Sequence, residues 1–172
     1  MRLLIALLLT LQVLLAQAVE PKQKVEEYPV HEKAAKAAFG AEFMVHVVSS
    51  SGKNYFVPEY FTVELAVYPD KGITIPFALR DFTLRINGKK QELRPETPGI
   101  AALSLGFAGL PEQQRGASTP QEAVTAAGFN DTDVGQPVAG YLFFPFRGDG
   151  KKANTVELIY RGPAGEVTLH LR

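Results

Sequence analysis

The sequence predicts a mainly β chain folded as an antiparallel sandwich. Three observations carry that expectation. Runs such as Phe61, Val63, Leu65 and Val67 alternate strictly with Thr62, Glu64, Ala66 and Tyr68, the period of a half-buried strand. Turn signals punctuate these runs at near-regular spacing, including Pro69-Asp70-Lys71-Gly72, Asn87-Gly88 and Gly162-Pro163-Ala164-Gly165. Nothing in the chain reads as a strand-helix-strand crossover or an internal repeat, so a parallel sheet is not expected.

The elements follow in order. Arg2, the apolar run Leu3 to Leu15 and the small-x-small triplet Ala16-Gln17-Ala18 read as a cleavable signal peptide over residues 1–18. The run is short of the ~20 apolar residues that span a bilayer, and no other segment is long and apolar enough, so no membrane span is expected after cleavage. Residues 19–30 are polar, with Pro21 and Pro29, and read as a flexible leader. A single domain is then expected over 31–172. His31 to Phe39 is rich in Ala and Lys and is followed by Gly40, which predicts a short N-terminal helix with a glycine stop.

Strand signals begin at Ala41 to Ser50 and continue, past the turn Ser51 to Asn54, through Tyr55 to Tyr68. Asp81 to Asn87 repeats the alternation, and Asn87-Gly88 favours a tight type I′ hairpin with Lys89 to Leu93 returning antiparallel. Residues 99–136 interrupt the rhythm as a helical insertion. Ile100 to Leu110 is small and apolar, while Thr119-Pro120-Gln121-Glu122 is a capping box with proline at the first helical position and Gly128 as a stop. Long insertions of this kind are often functional, which makes this segment the first place to look for ligand binding. Strands resume over Val138 to Phe146, Thr155 to Arg161 and Glu166 to Leu171.

Composition limits function. The chain has 172 residues, 18 Lys+Arg, 18 Asp+Glu and no cysteine. Loss of the leader removes only Arg2, so the remainder carries no global electrostatic footprint for nucleic acid. Absence of cysteine excludes disulfides, thiolate metal sites and thiol catalysis. A domain of about 150 residues buries enough surface to fold without such staples. Lys89-Lys90 and Lys151-Lys152 sit beside turns and read as solvated hairpin ends.

No constellation in the chain predicts a catalytic, cofactor or metal site. Ser104, between Leu103 and Leu105 and near Gly106, is followed by Asp131, Asp133, Asp149 and His170 in hydrolase order, but a nucleophile elbow requires the parallel sheet that is lacking. Met44 and His46 lie two apart and so are expected to share a strand face, a pairing that suits copper, yet His31, His46 and His170 are too few for a converging ligand set. Asn130-Asp131-Thr132-Asp133 resembles the opening of a calcium loop, but Leu142 occupies the position of the bidentate acid, which leaves an Asx-rich turn. Asn130-Asp131-Thr132 also fits a glycosylation acceptor, and Arg147-Gly148-Asp149 is ordinary turn chemistry as well as an adhesion tripeptide. The aromatics are read as core and cross-strand packing, with Tyr60 and Tyr68 on the face opposite Phe61.

The order Tyr60-Phe61-Thr62-Val63-Glu64-Leu65-Ala66-Val67, then Asp81-Phe82-Thr83-Leu84-Arg85 into Asn87-Gly88-Lys89, and the late Gly140-Tyr141-Leu142-Phe143-Phe144-Pro145 strand resembles the immunoglobulin-like domains of exported bacterial proteins, the MPT63 antigen and DUF4352 group. That resemblance implies an immunoglobulin-like β-sandwich and a periplasmic or extracellular address, and it supplies no mechanism. The function expected is a non-catalytic binding or interaction module of the envelope or secreted space, whose partner is another envelope protein or a small ligand. An assembly accessory that pairs through an exposed strand edge is the alternative, and a serine hydrolase using Ser104 is the least favoured.

Overall fold

The alternating runs pair into two stacked antiparallel sheets in a computed structural model that describes residues 19–105 and 119–172. The first sheet has the order β1-β2-β5-β9, from Val30–Lys33, Ala37–Val45, Tyr60–Pro69 and Val138–Pro145. The second has the order β11-β10-β7, from Gly165–His170, Val156–Gly162 and Phe82–Ile86. Two small ribbons complete the fold, β3 (Val47–Ser50) with β4 (Lys53–Phe56), and β6 (Ile75–Phe77) with β8 (Thr132–Val134). The expected leader over residues 1–18 lies outside the described residues.

Period-two alternation decides what each sheet buries. Phe61, Val63, Leu65 and Val67 of β5 pair with Phe144, Leu142, Gly140 and Val138 of β9. Together with Phe39 and Ala41 they meet Phe82, Leu84, Leu158 and Leu169 of the second sheet in one core. Phe39, Phe82, Phe77 and Tyr160 pack ring against ring there, with centroids 4.7 to 6.3 Å apart. Each fully buried side chain of this size contributes roughly 1.5–3 kcal/mol.

The other face of the first sheet is not exposed. Tyr60, Thr62 and Ala66 are buried there, opposite Pro145, Phe143 and Ala139. Tyr60 and Thr62 lie under the β3–β4 ribbon and helices α1 (Pro98–Leu103) and α2 (Pro120–Ala127), and Ala66 lies under Tyr28. Ala101, Ala102, Val124 and Ala127 bring these helices down onto Tyr141 and Phe143. Their small side chains let the helix backbones approach the sheet closely. The residues on the face opposite Phe61 therefore form a second buried layer, and β9 reads as a continuous apolar run because both its faces are covered.

The expected helix over His31 to Phe39 is replaced by strands β1 and β2. An isolated helix of nine residues is marginal in water, whereas Ala37, Phe39 and Ala41 alternate into the core and pair with Pro69, Val67 and Leu65. Tertiary pairing outweighs the propensity of Ala and Lys. Gly40 is then no helix stop. It lies mid-strand under the ring of Tyr28, where a β-carbon would stand 2.4 Å from Tyr28 Cδ2.

That tyrosine also corrects the loose-leader expectation. Residues 25–27 form a 3-10 turn, and Tyr28 is buried against Ala66 and Ala139. The Tyr68 hydroxyl donates to the Lys22 carbonyl at 2.7 Å, and the Lys22 ammonium lies 4.4 Å over the Tyr28 ring. The segment is thus fastened across the outer face of the first sheet.

The hairpin at Asn87-Gly88 forms with both residues at positive φ, 53° and 62°, as a type I′ turn requires. The return is looser than expected. Leu93, rather than Gln91, pairs with Leu84, through two backbone hydrogen bonds of 2.8 and 2.9 Å. The extra residues bulge outward beyond Lys89, and the main partner of β7 is β10.

Charges cover the outer face of the second sheet. Glu92 accepts from Arg85 at 2.5 Å, from Thr83 at 2.8 Å and from Arg161 at 3.3 Å. These hydrogen bonds, Arg85 first, hold its carboxyl below the usual carboxylate range. A carboxyl with a depressed folded pKa stabilises the fold above its unfolded pKa, and that contribution fades as pH falls through the folded value. Glu92→Gln is therefore expected to lower stability at pH 7 by about 1 kcal/mol. The deficit should shrink toward zero on acidification through the carboxylate range. Urea unfolding of both proteins between pH 7 and pH 3 measures this, and a deficit independent of pH would contradict the assignment.

Candidate functional site

Two adjoining cavities open at one end of the sandwich, on either side of the loop Gly148 to Lys152. The first, about 440 Å³, is lined by Ile86, Leu93 and Phe146 and rimmed by Lys89, Gln91 and Lys152. The second, about 430 Å³, lies between Val45, Phe56 and Pro58 on one side and Gly150, Lys151 and Arg172 on the other. Both volumes fall within the range of small-molecule pockets, about 300–1,000 Å³.

The loop between them is fixed by local chemistry. Asn87, held at positive φ by the tight turn, accepts at Oδ1 from the Asn154 and Thr155 amides, at 2.7 and 3.1 Å. Its Nδ2 donates to the Lys152 carbonyl at 2.8 Å. The Asp149 carboxylate accepts from the Lys151 amide at 2.9 Å and caps the 3-10 turn over Gly150–Lys152. Glycine is needed at 148 and 150 for close approach. A β-carbon at Gly148 would stand 2.4 Å from the Phe146 ring, and one at Gly150 would stand 2.7 Å from Val45 Cγ1. Phe146 itself stacks on Phe61 with centroids 4.0 Å apart, so the floor of the first cavity continues into the main core.

His46 lies between the core and the second cavity. Its ring is 5.2 Å from Phe61 and 5.8 Å from Phe56. Nδ1 is 2.7 Å from the Tyr60 carbonyl, which can only accept, so Nδ1 carries the proton and donates. Phe56 is 63% exposed at the cavity rim, an unusual position for a phenylalanine.

Lys89, Lys151 and Lys152 make no ion pair among the described residues, whereas Lys22, Lys33, Arg85 and Arg161 all face carboxylates. The Arg172 guanidinium donates to the carbonyls of Gly150 and Ala153, at 3.3 and 3.2 Å. Lys89 of one Lys-Lys pair and Lys152 of the other, which read as unrelated hairpin ends, thus line one cavity. The register Val156↔Ile86 between β10 and β7 sets the segments after residue 86 and before residue 156 side by side. The only sequence signal for this convergence is two lysine pairs placed at turns of strands that prove to be neighbours.

Other singled-out residues go elsewhere. The Ser104 hydroxyl donates to the Ala101 carbonyl at 2.7 Å at the end of α1. His170 lies on the outer face of the second sheet, with Nδ1 3.3 Å from Glu157. Both sheets and the core separate that face from the helical layer. Met44 and His46 do not share a face, because a bulge with Val45 at φ 61° turns the chain between them. Met44 packs into the second layer instead. Asp131 accepts from the Leu79 amide at 2.8 Å and ties the Asx-rich turn before β8 to the 3-10 turn Leu79–Asp81. Arg147 pairs with Glu59 at 3.3 Å. No group of three or more His, Asp or Glu side chains among the described residues could hold a metal ion.

The insertion contributes packing and a polar cluster beneath it. The Tyr141 hydroxyl accepts from the Ser49 amide at 3.1 Å and donates to Glu64 at 3.2 Å. Burial pushes the Tyr141 hydroxyl up to about 12 and raises the Glu64 carboxyl above its ordinary value. Tyr60 donates to Glu96 at 2.5 Å in the same layer. The capping box at Thr119 forms as expected, and α2 ends at Gly128.

Strand edges are blunted. Edge strand β1 is short and presents His31, Glu32 and Lys33 to solvent. The outer edge of β9 accepts hydrogen bonds from the Glu96 and Phe129 amides, at 2.8 and 3.0 Å.

Comparison with known proteins yields little kinship. No family model matches, so the resemblance to the DUF4352 group gains no support there, and no curated protein matches. Among solved structures, the chain is similar to a protein of Bacillus subtilis subsp. subtilis str. 168, ycdA, provisionally described as a lipoprotein. The TM-score is 0.44 at 12% sequence identity, over 81% of this chain and 37% of that one. The chain thus spans little more than a third of that neighbour's length. No helix among the described residues is long and apolar enough to cross a membrane.

Proposed function

We propose that this chain is an exported, non-catalytic binding module of the bacterial envelope or secreted space, taking a small ligand in the paired cavities beside Gly148 to Lys152. The observation that carries the reading is a preorganised concavity. An apolar floor of Ile86, Leu93 and Phe146 continues the core, and the Asn87 clamp and the Gly148 and Gly150 contacts hold its wall. Preformed sites of this kind bind without the cost of ordering a loop. Export rests on the residue pattern of positions 1–18.

One experiment tests both halves. Protein recovered from the cell envelope or culture medium is expected to begin at Val19. That material should bind the neutral apolar fluorophore N-phenyl-1-naphthylamine saturably at one site. Gln91 is exposed on the cavity rim, so Gln91→Trp should fill the opening and weaken binding at least about tenfold, since a blocked pocket loses most of its buried contact. Equal binding by the parent and Gln91→Trp, or none by either, would defeat the assignment of the site.

A further inference from the structure

We propose that the two cavities form one site for an organic anion with an apolar body, its carboxylate or phosphate-ester head lying among Lys89, Lys151 and Lys152. This rests on the binding-module reading and adds the ligand's chemistry. Exposed lysines without partners are common, and their number alone says nothing. Their placement does. Lys89 and Lys152 rim the first cavity and Lys151 the second, with Gly148 and Asp149 shared by both.

One acid shares the site: Asp149 lines both cavities and caps the Lys151 amide through Oδ1, so three lysines stand against a single carboxylate and the rim keeps a net positive charge. Arg172 adds a fourth cation, which donates to two backbone carbonyls and lies 5.6 Å over the Phe43 ring. Beside these charges both cavities are lined by apolar side chains, Phe146, Leu93 and Ile86 in one, and Val45 and Pro58 with Phe56 at the rim in the other. Cations at the rim and hydrocarbon at the floor complement a molecule with one anionic end. A bare inorganic ion would leave the apolar surface uncovered, and a neutral amphiphile would leave the charges unanswered.

Calorimetric titration of the full mature chain would use dodecanoate, dodecyl phosphate, dodecyl maltoside, dodecyltrimethylammonium and inorganic phosphate, each below its aggregation threshold. The two dodecyl anions are expected to bind at least about tenfold tighter than the maltoside, a difference that added salt reduces. Preference between them assigns the head as carboxylate or phosphate ester. Lys89→Gln/Lys151→Gln/Lys152→Gln replaces exposed side chains and should keep the parent's thermal midpoint while erasing the preference for anions. Maltoside binding as tight as the anions, inorganic phosphate binding as tight as dodecyl phosphate, or a triple variant with an intact preference would each overturn the proposal. In the first and third of these the cavity itself would stand as a binding site. Failure of every probe, together with failure of the neutral fluorophore above, would overturn the binding-module reading as well.

Discussion

Replacement of Phe61 by alanine is expected to cost about 3–5 kcal/mol of folding free energy. Phe61 is fully buried at the point where the core meets the cavities. Its ring stacks on Phe146 at 4.0 Å and meets Phe43 and His46, each at 5.2 Å. Removal takes away the transfer free energy of the ring and leaves a void that strands β5 and β9 cannot close, because their hydrogen-bonded register fixes their spacing. Domains of this size have roughly 5–15 kcal/mol in total, so the variant should be marginal at 37 °C. Urea unfolding at 25 °C measures the loss. The same substitution frees Phe146, and binding at the cavity should weaken by more than the populated folded fraction explains. A loss below about 1 kcal/mol would mean that Phe61 is not the packing hub described.

The second large effect concerns the helical layer. Gly128→Ala is expected to destabilise by about 1–3 kcal/mol through overpacking. Backbone strain plays no part, because Gly128 has φ −85° and ψ 153°, a conformation open to any residue. The obstacle is steric. A β-carbon there would lie 2.3 Å from Pro98 Cγ and 2.8 Å from Phe143 Cε2, between the start of α1 and the sheet. The pyrrolidine ring cannot rotate away, and Phe143 is fully buried. Gly99→Ala in the same layer is the control, since nothing lies within 4 Å of its β-carbon position. Its effect should stay within about 0.5 kcal/mol of zero. Thermal or urea unfolding of the pair decides the point. Equal effects would show that the helices rest on the sheet too loosely for Gly128 to matter.

The sheets were legible wherever one residue in two was apolar. Tyr60 to Tyr68, Asp81 to Asn87 and Glu166 to Leu171 all declare themselves by alternation, and Asn87-Gly88 declares its turn. His31 to Phe39 misled because Ala and Lys favour helix locally, while the pairing of Phe39 with Val67 is visible only once β5 is in place. The candidate site was hidden for a similar reason. Lys89 and Lys152 are far apart in the chain, and each looks like an ordinary turn residue until the β7–β10 register brings them together.

The sequence by itself determined the antiparallel β class, the turns that punctuate it, the Thr119 capping box and the set of side chains that could fill a core. Those properties depend on neighbours within a few residues, through the strand period and turn dihedrals. Tertiary structure alone decided that Tyr60 and Thr62 would be roofed by helices, that Tyr28 would fasten across the sheet, and that Gly148 to Lys152 would stand between two cavities. Each of these depends on surfaces meeting across long stretches of chain, and the period of a strand says which residues share a face without saying what will cover it.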